Sequence, residues 1–410
     1  MKRVGLAARI ACCVLAVQAL ACTGKSDSST GSPGSSASGE MSGTTTDDDA
    51  TTTGDACDWG GTLHFVALVA IVDGEAQSSV LIEEETTLPI PVVSDLQGGI
   101  VFGTYGEEVQ LVRHGADGLR LGALGLPSGP QDLTRDGTGR IIYAGRFDEG
   151  MAYGVLDQAL DPVGPRRVLP WGAPLLQHQL KIAGLPDGSI VVAGGGQRGS
   201  GRLVSRLDPS GDEVWTTSWP VGSQPDDHGN AQVAGIAVLA DGTSAIALTS
   251  GDLYEGDLSL EAFAADGQHA WAATIEDVRA QGLTVNADTF VVSGRASSSD
   301  GNAYGYASDG TRIWSTPLAS SGGGGVHPCA ETDFIAASGA GFTRISSDGT
   351  STEHSLDLME LVQSQLSPDQ PYDGLEIHQH DAVCTSEGAV ILVADVTVYT
   401  ETAVLCDSDR

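Results

Sequence analysis

The residues most able to do chemistry in this chain are a few histidines and glutamines, and they are best weighed one group at a time. The segment "IHQHD", Ile377 to Asp381, sets His378 and His380 two apart. On an extended chain that spacing puts both side chains on one face, where they and His327 could approach a metal. A metal site also needs further ligands and an ordered outer shell. Two histidines on a loop are ordinary polar surface, so no metal is assigned. "GGGQRG", Gly194 to Gly199, matches a dinucleotide-binding fingerprint and follows an apolar run. Such a site needs a helix next, whereas "SGRLVSRLD" is patterned as a strand, so this is a glycine-rich loop. No Ser/His/Asp set, nucleophile elbow or paired-carboxylate motif stands out, and with 54 acidic residues any chosen pair would be arbitrary. No catalytic residue and no cofactor are assigned.

Charge narrows the partners. There are 20 Lys and Arg against 54 Asp and Glu in 410 residues, a net charge of −34. Such a chain repels phosphate backbones and anionic lipid, which argues against nucleic acid. The only lysines are Lys2, Lys25 and Lys181. Hydrophobic content of 40% is enough for a core.

The N-terminus reads as an export signal over residues 1–21. Lys2, Arg3 and Arg9 precede the apolar run "IACCVLAVQALA", which is too short to span a bilayer as a stable helix. The run ends in "ALAC", which resembles the lipobox of bacterial lipoproteins. The resemblance implies cleavage after Ala21 and acylation of Cys22, although Ala19 stands where that family most often has leucine. Plain secretion with cleavage near Ala21 is the alternative. Residues 22–58 are rich in Ser, Thr, Gly and Asp and have almost nothing to bury, so they are expected to form a disordered tether. A flexible coil of about 35 residues reaches roughly 30–35 Å. "TTTDDDATTT" belongs to this tether rather than to a cation cage.

From residue 59 to 410 the chain repeats itself. "LDPSGDEVWTTSW", "AADGQHAWAAT" and "SDGTRIWSTP" each place a tryptophan (Trp215, Trp271, Trp314) four residues after a turn glycine (Gly211, Gly267, Gly310). "SSDGTSTEHSL" keeps the turn and puts Glu353 at the tryptophan position. Weaker copies are read at Asp73–Gly74, Asp117–Gly118 and Asp161–Gly164. A second element alternates with the first: a turn, then a strand apolar on both faces, as in "LPDGSIVVAGGG". Its seven copies centre near Ile100, Ile141, Ile190, Ala245, Phe290, Phe334 and Val390, about 41–56 residues apart, a spacing suited to propeller blades. Glycine supplies the positive φ that such turns need. "LDLMELVQSQL", Leu356 to Leu366, is read as a short helix in an insertion.

These hairpins resemble those of PQQ-like and related bacterial β-propellers. The resemblance covers roughly residues 60–410 and implies an all-β propeller; the seven copies set the expected number of blades at seven, with six or eight as alternatives. It implies little about chemistry, because one propeller fold hosts many functions. The chain begins with a late-type hairpin and ends with an early-type pair, so the N-terminal hairpin is expected to complete the last blade. Cys57 and Cys406 flank that junction and are expected to bond. Cys329 and Cys384 precede their apolar runs by the same five residues and form the other expected pair. Other pairings of the four stay open.

If the Asp-Gly turns share one face, the longer connections share the other. Those connections carry His178, Gln179, His228, Gln232, Gln281, His327, His378 and His380, the candidate ligand face. The expected protein is a monomeric lipoprotein of a Gram-negative cell envelope, lipid-anchored and facing the periplasm or outer surface. Its propeller would bind a protein, peptide or glycan. The alternative is an extracytoplasmic lyase or hydrolase acting on a polysaccharide or lactone.

Overall fold

The computed structural model describes residues 61–400 except 84–90, 106–107, 116, 170, 172–179, 196–201, 220–231, 252–255, 297–300, 319–324, 331, 339–340, 367–373 and 387. Cys22, Cys57, Cys406, His178, Gln179 and His228 therefore lie outside the described residues.

Among the described residues twenty-eight strands form seven antiparallel four-stranded sheets, and the fold is a seven-bladed β-propeller. The innermost strands, in ring order, are Val92–Ser94, Pro130–Arg135, Leu180–Gly184, Gln232–Val238, Val278–Asn286, Val326–Cys329 and Gly374–Cys384. We number blades 1 to 7 in that order. Each inner strand packs against the next, and the ring closes between blade 7 and blade 1. Blade 7 takes its inner pair, Gly374–Cys384 and Val390–Thr400, from the C-terminal end of the described chain. Its outer pair, Gly61–Val72 and Glu75–Glu83, comes from the N-terminal end. The expected closure by the N-terminal hairpin is thus what the strand pairing shows.

The doubly apolar second strands explain the packing. Phe102, Ile142, Val192, Ala247, Val292 and Leu392 are fully buried, as are their opposite-facing neighbours Val101, Ile141, Val191, Ile246, Val291 and Val393. One face meets the preceding blade and the other the following blade, so neither can be polar. Seven apolar clusters result, one for each junction. The cluster of Val66, Leu68 and Val393 with Ile100 and Phe102 closes the circle. Burying one such side chain is worth roughly 1.5–3 kcal/mol.

The tryptophan repeat is a latch between neighbours. The indole N–H of Trp215 donates to the Ala265 carbonyl in the next blade's turn at 2.9 Å. Trp271 donates to Ser308 and Trp314 to Ser347 in the same way. Each ring lies against the glycine of that turn: a Cβ on Gly267, Gly310 or Gly349 would stand 2.7 Å from it. These glycines are held at φ near +84° (83, 85 and 84), so both conformation and contact demand them. Elsewhere in the ring Arg167 rests on Gly211, Val80 on Gly118 and His354 on Gly74.

Two details of the repeat differ from the sequence reading. In blade 6 His354, not Glu353, reaches the neighbouring turn. The outer pair of blades 3 to 5 carries a register shift that blade 6 lacks, so counting from the glycine lands on the wrong residue. In blade 2 the turn runs from Asp157 to Leu160 rather than from Asp161 to Gly164, with Leu160 at φ 68°. Burial of its side chain against Ile141 and Leu156 offsets the cost of that conformation.

A disulfide joins Cys329 to Cys384, with Cα atoms 5.1 Å apart. Both cysteines end an inner strand, in blades 6 and 7, so this expected pair is present. The short helix is Leu358–Gln363. Asp357 caps it, and Leu358 and Val362 are buried against blade 7. Among the described residues no helix is long and apolar enough to cross a membrane.

Candidate functional site

The seven inner strands surround an open cavity of about 1020 Å³, to which every blade contributes. The first and third hairpin turns of a blade leave by one end of this channel. The connections between blades leave by the other, as antiparallel four-stranded sheets require.

Asp132, Lys181 and Asp381 each stand three residues before the end of an inner strand, and His327 stands two before. They form two pairs, each joining neighbouring blades. The Lys181 ammonium lies 3.2 Å from Asp132 Oδ1, while Asp132 Oδ2 accepts the Ile182 backbone N–H at 2.8 Å. His327 Nε2 lies 2.7 Å from Asp381 Oδ1, which also accepts the Ala382 N–H. None of the four is sealed off: 28% of the Lys181 side chain and 26% of the His327 side chain remain exposed to the channel.

Environment tunes these groups. Burial pushes the Asp132 carboxyl above its usual range, against the attraction of Lys181 and the Ile182 hydrogen bond. For His327, burial pulls the imidazolium down, but the charge and hydrogen bond of Asp381, with the Asp132 carboxylate, outweigh it. Its pKa is raised. Arg135, which donates to the Ser94 carbonyl at 3.0 Å, is lowered by burial against the pull of Asp95 and Asp136. A carboxylate against a channel imidazole favours its charged form, and the Lys181 ammonium adds a positive charge to the same cavity.

The candidate residues named from the sequence separate here. Gln281 and His327 line the channel. Gln232 opens an inner strand and accepts from Arg279 at 3.2 Å, at the junction of blades 4 and 5. His378 is exposed, 3.8 Å from Glu376, and His327 pairs with Asp381 rather than with it. His380 occupies a bulge position in its strand, and its side chain lies outside the described residues. Among the described residues no group of three or more His, Cys, Asp or Glu is placed to hold a metal.

Asp132, Lys181 and Asp381 are not among the residues expected from the sequence, because they lie in the inner strands and not in the connections that feed them. One signal was available: Lys181 is the single lysine after residue 25, set in a strand otherwise apolar. Asp381 ends the "IHQHD" segment, whose pattern reads as a loop.

No protein-family model matches the chain, and no curated protein matches it. Several solved structures are similar. BBS1N, solved in complex with ARL6DN and soaked with lead, aligns with a TM-score of 0.45 at 14% identity, over 82% of this chain and 98% of its own. Sqt1 of Saccharomyces cerevisiae aligns at 0.45 and 13% identity, over 71% and 79%. A protein of unknown function from Bacteroides caccae aligns at 0.36 and 13%, over 53% and 73%. The strand pairing described above, not these likenesses, carries the fold assignment.

Proposed function

We propose that this protein is a cell-envelope lipoprotein whose propeller is a binding module, with its site at the channel end opposite the Asp-Gly turns. The convergence of Asp132, Lys181, Gln281, His327 and Asp381 in one open cavity is the observation that carries the site. The turn face is occupied by short repeated hairpins, and the charged side chains of the channel are not repeated from blade to blade. The partner is a protein, peptide or glycan met outside the cytoplasm. The anchor reading rests on "ALAC" and the Ser/Thr/Gly/Asp stretch behind it, and the PQQ-like kinship rests on the turn-strand repeat. Mass spectrometry of the mature N-terminus should find acylated Cys22; an unmodified terminus elsewhere removes the anchor. Replacing His178, Gln281, His327 and His380 together by Ala should leave the far-ultraviolet spectrum intact and abolish capture of the native partner. A partner footprint on the turns around Asp187, Asp241 and Asp266 would place function on the other face.

The His327–Asp381 pair also favours a second reading, an extracytoplasmic lyase or hydrolase acting on a polysaccharide or lactone. A carboxylate that orients an imidazole is what a general acid or base needs. Turnover of such substrates, lost in His327→Gln, would support that reading over a pure binding role.

A further inference from the structure

The charge of the channel is the reverse of the charge of the chain. Among the described residues its walls carry Arg135, Arg146, Lys181 and His327 against Asp132 and Asp381, with no glutamate. Over the whole sequence acidic residues outnumber basic ones, 54 to 20. The single lysine after residue 25 is among these few cations.

Hydrogen-bond accounting points the same way. Asp132 is engaged at both oxygens, by Lys181 and by the Ile182 N–H. Asp381 Oδ1 accepts from His327 and from the Ala382 N–H. The cations are not used up. An ammonium has three N–H groups, and Asp132 takes one. An imidazolium has two, and Asp381 takes the one at Nε2. The Gln281 amide adds two more donors from blade 5. Asp381 Oδ2 and the Gln281 amide oxygen remain as acceptors, yet both cations keep N–H groups that a ligand can take, and the paired carboxylates hold both cations in place before anything binds. Among the described lining residues the side chains are small and none is a large aromatic ring, with Ala183, Ala234, Gly282 and Gly325 facing the same space. It suits a slender group rather than a stacked sugar.

We propose that the channel binds a ligand's carboxylate group between Lys181 and His327, with Gln281 as an additional donor. This rests on the reading of that channel end as the binding site and names the chemistry it selects. The carboxylate could belong to a free small acid or to the C-terminus of a peptide, and one experiment separates these sources.

The full-length chain, purified in detergent at low ionic strength, is titrated calorimetrically with succinate, with triglycine and with triglycine amide. Binding of succinate or triglycine, with no binding of the amide, is expected. Succinate binding alone identifies a small acid, and stronger binding of triglycine identifies a peptide terminus. Lys181→Met and His327→Gln should each weaken binding about tenfold or more, the loss of one charge-assisted hydrogen bond. Asp309→Asn, in a hairpin turn of the opposite face, should leave it unchanged. Equal binding of acid and amide, no heat with either acid, or full affinity in folded Lys181→Met and His327→Gln overturns the proposal. Should a variant fail to fold, the acid-against-amide contrast on the native chain decides alone. A partner footprint on the turn face would defeat the reading of the binding face, and the carboxylate titration would still report on the channel.

Discussion

The turn side of the ring and the interior of the channel are built from the same strands, yet they use charge in opposite ways. On the turn side each aspartate serves its own hairpin. Asp309 and Asp348 accept the backbone N–H groups of Thr311 and Thr350, with hydroxyl bonds adding to the effect, and their pKa values are lowered. Asp187 is disfavoured by burial, but Ser189 and Arg206 more than compensate, and it too is lowered. In the channel Asp132 is raised by burial despite Lys181, and His327 is raised by Asp381 and Asp132 despite burial. Local hydrogen bonds made again and again stabilise a repeat. Unrepeated charges meeting across blades mark a place where one blade's identity matters.

The contrast can be broken in stability measurements. The largest effect should come from Cys329→Ala with Cys384→Ala. The bond closes a loop of sequence separation 55, and the chain-entropy model assigns such a loop about 4 kcal/mol. Denaturant midpoints of oxidised and doubly substituted protein measure it. Next is Trp271→Ala. It removes the stacking on Tyr306, the edge contact with Phe290 and the bond to Ser308. For a partly buried tryptophan we expect a loss of about 2–4 kcal/mol, with channel binding unchanged. A loss of carboxylate binding in this variant would mean that latch and channel are not separate systems.

The pH dependence should divide between the regions. A lowered carboxyl contributes stability that is present above its unfolded pKa, about 3.9, and is lost as pH falls through the folded value. That describes Asp187, Asp309 and Asp348, so the turns weaken in acid. His327 is raised, so its contribution is complete below about 6.5 and is lost as pH rises through the folded value. Raised Asp132 acts in the same direction, from about 3.9 upward. Thermal unfolding followed against pH should therefore show a decline on the alkaline side that His327→Gln flattens and Asp309→Asn does not. The smallest effect is expected for Lys181→Met, about 1 kcal/mol or less, because channel water screens a pair whose side chains are 28% and 16% exposed. A loss as large as that of Trp271→Ala would make Lys181 a structural clamp.

Much of the architecture was legible because its causes are local. A turn glycine at positive φ, a strand apolar on both faces and their recurrence at blade spacing are all written in consecutive residues. They led to seven sheets, to closure by the N-terminal hairpin and to the Cys329–Cys384 bond. His354 and Leu160 show where local counting stops. One depends on the absence from its own blade of a register shift that blades 3 to 5 carry, and the other on a buried pocket that makes an unfavourable backbone tolerable.

The channel was decided by the tertiary structure. Asp132 and Lys181 are 49 residues apart, and His327 and Asp381 are 54 apart. Nothing in either neighbourhood announces the partner. The sequence by itself determined that hairpins of this kind would form and that their apolar faces would have to stack. Which unrepeated side chains would then face one another was set by how many blades close the ring and by how far each inner strand slides along its neighbour. Those are properties of the closed circle, and no single repeat contains them.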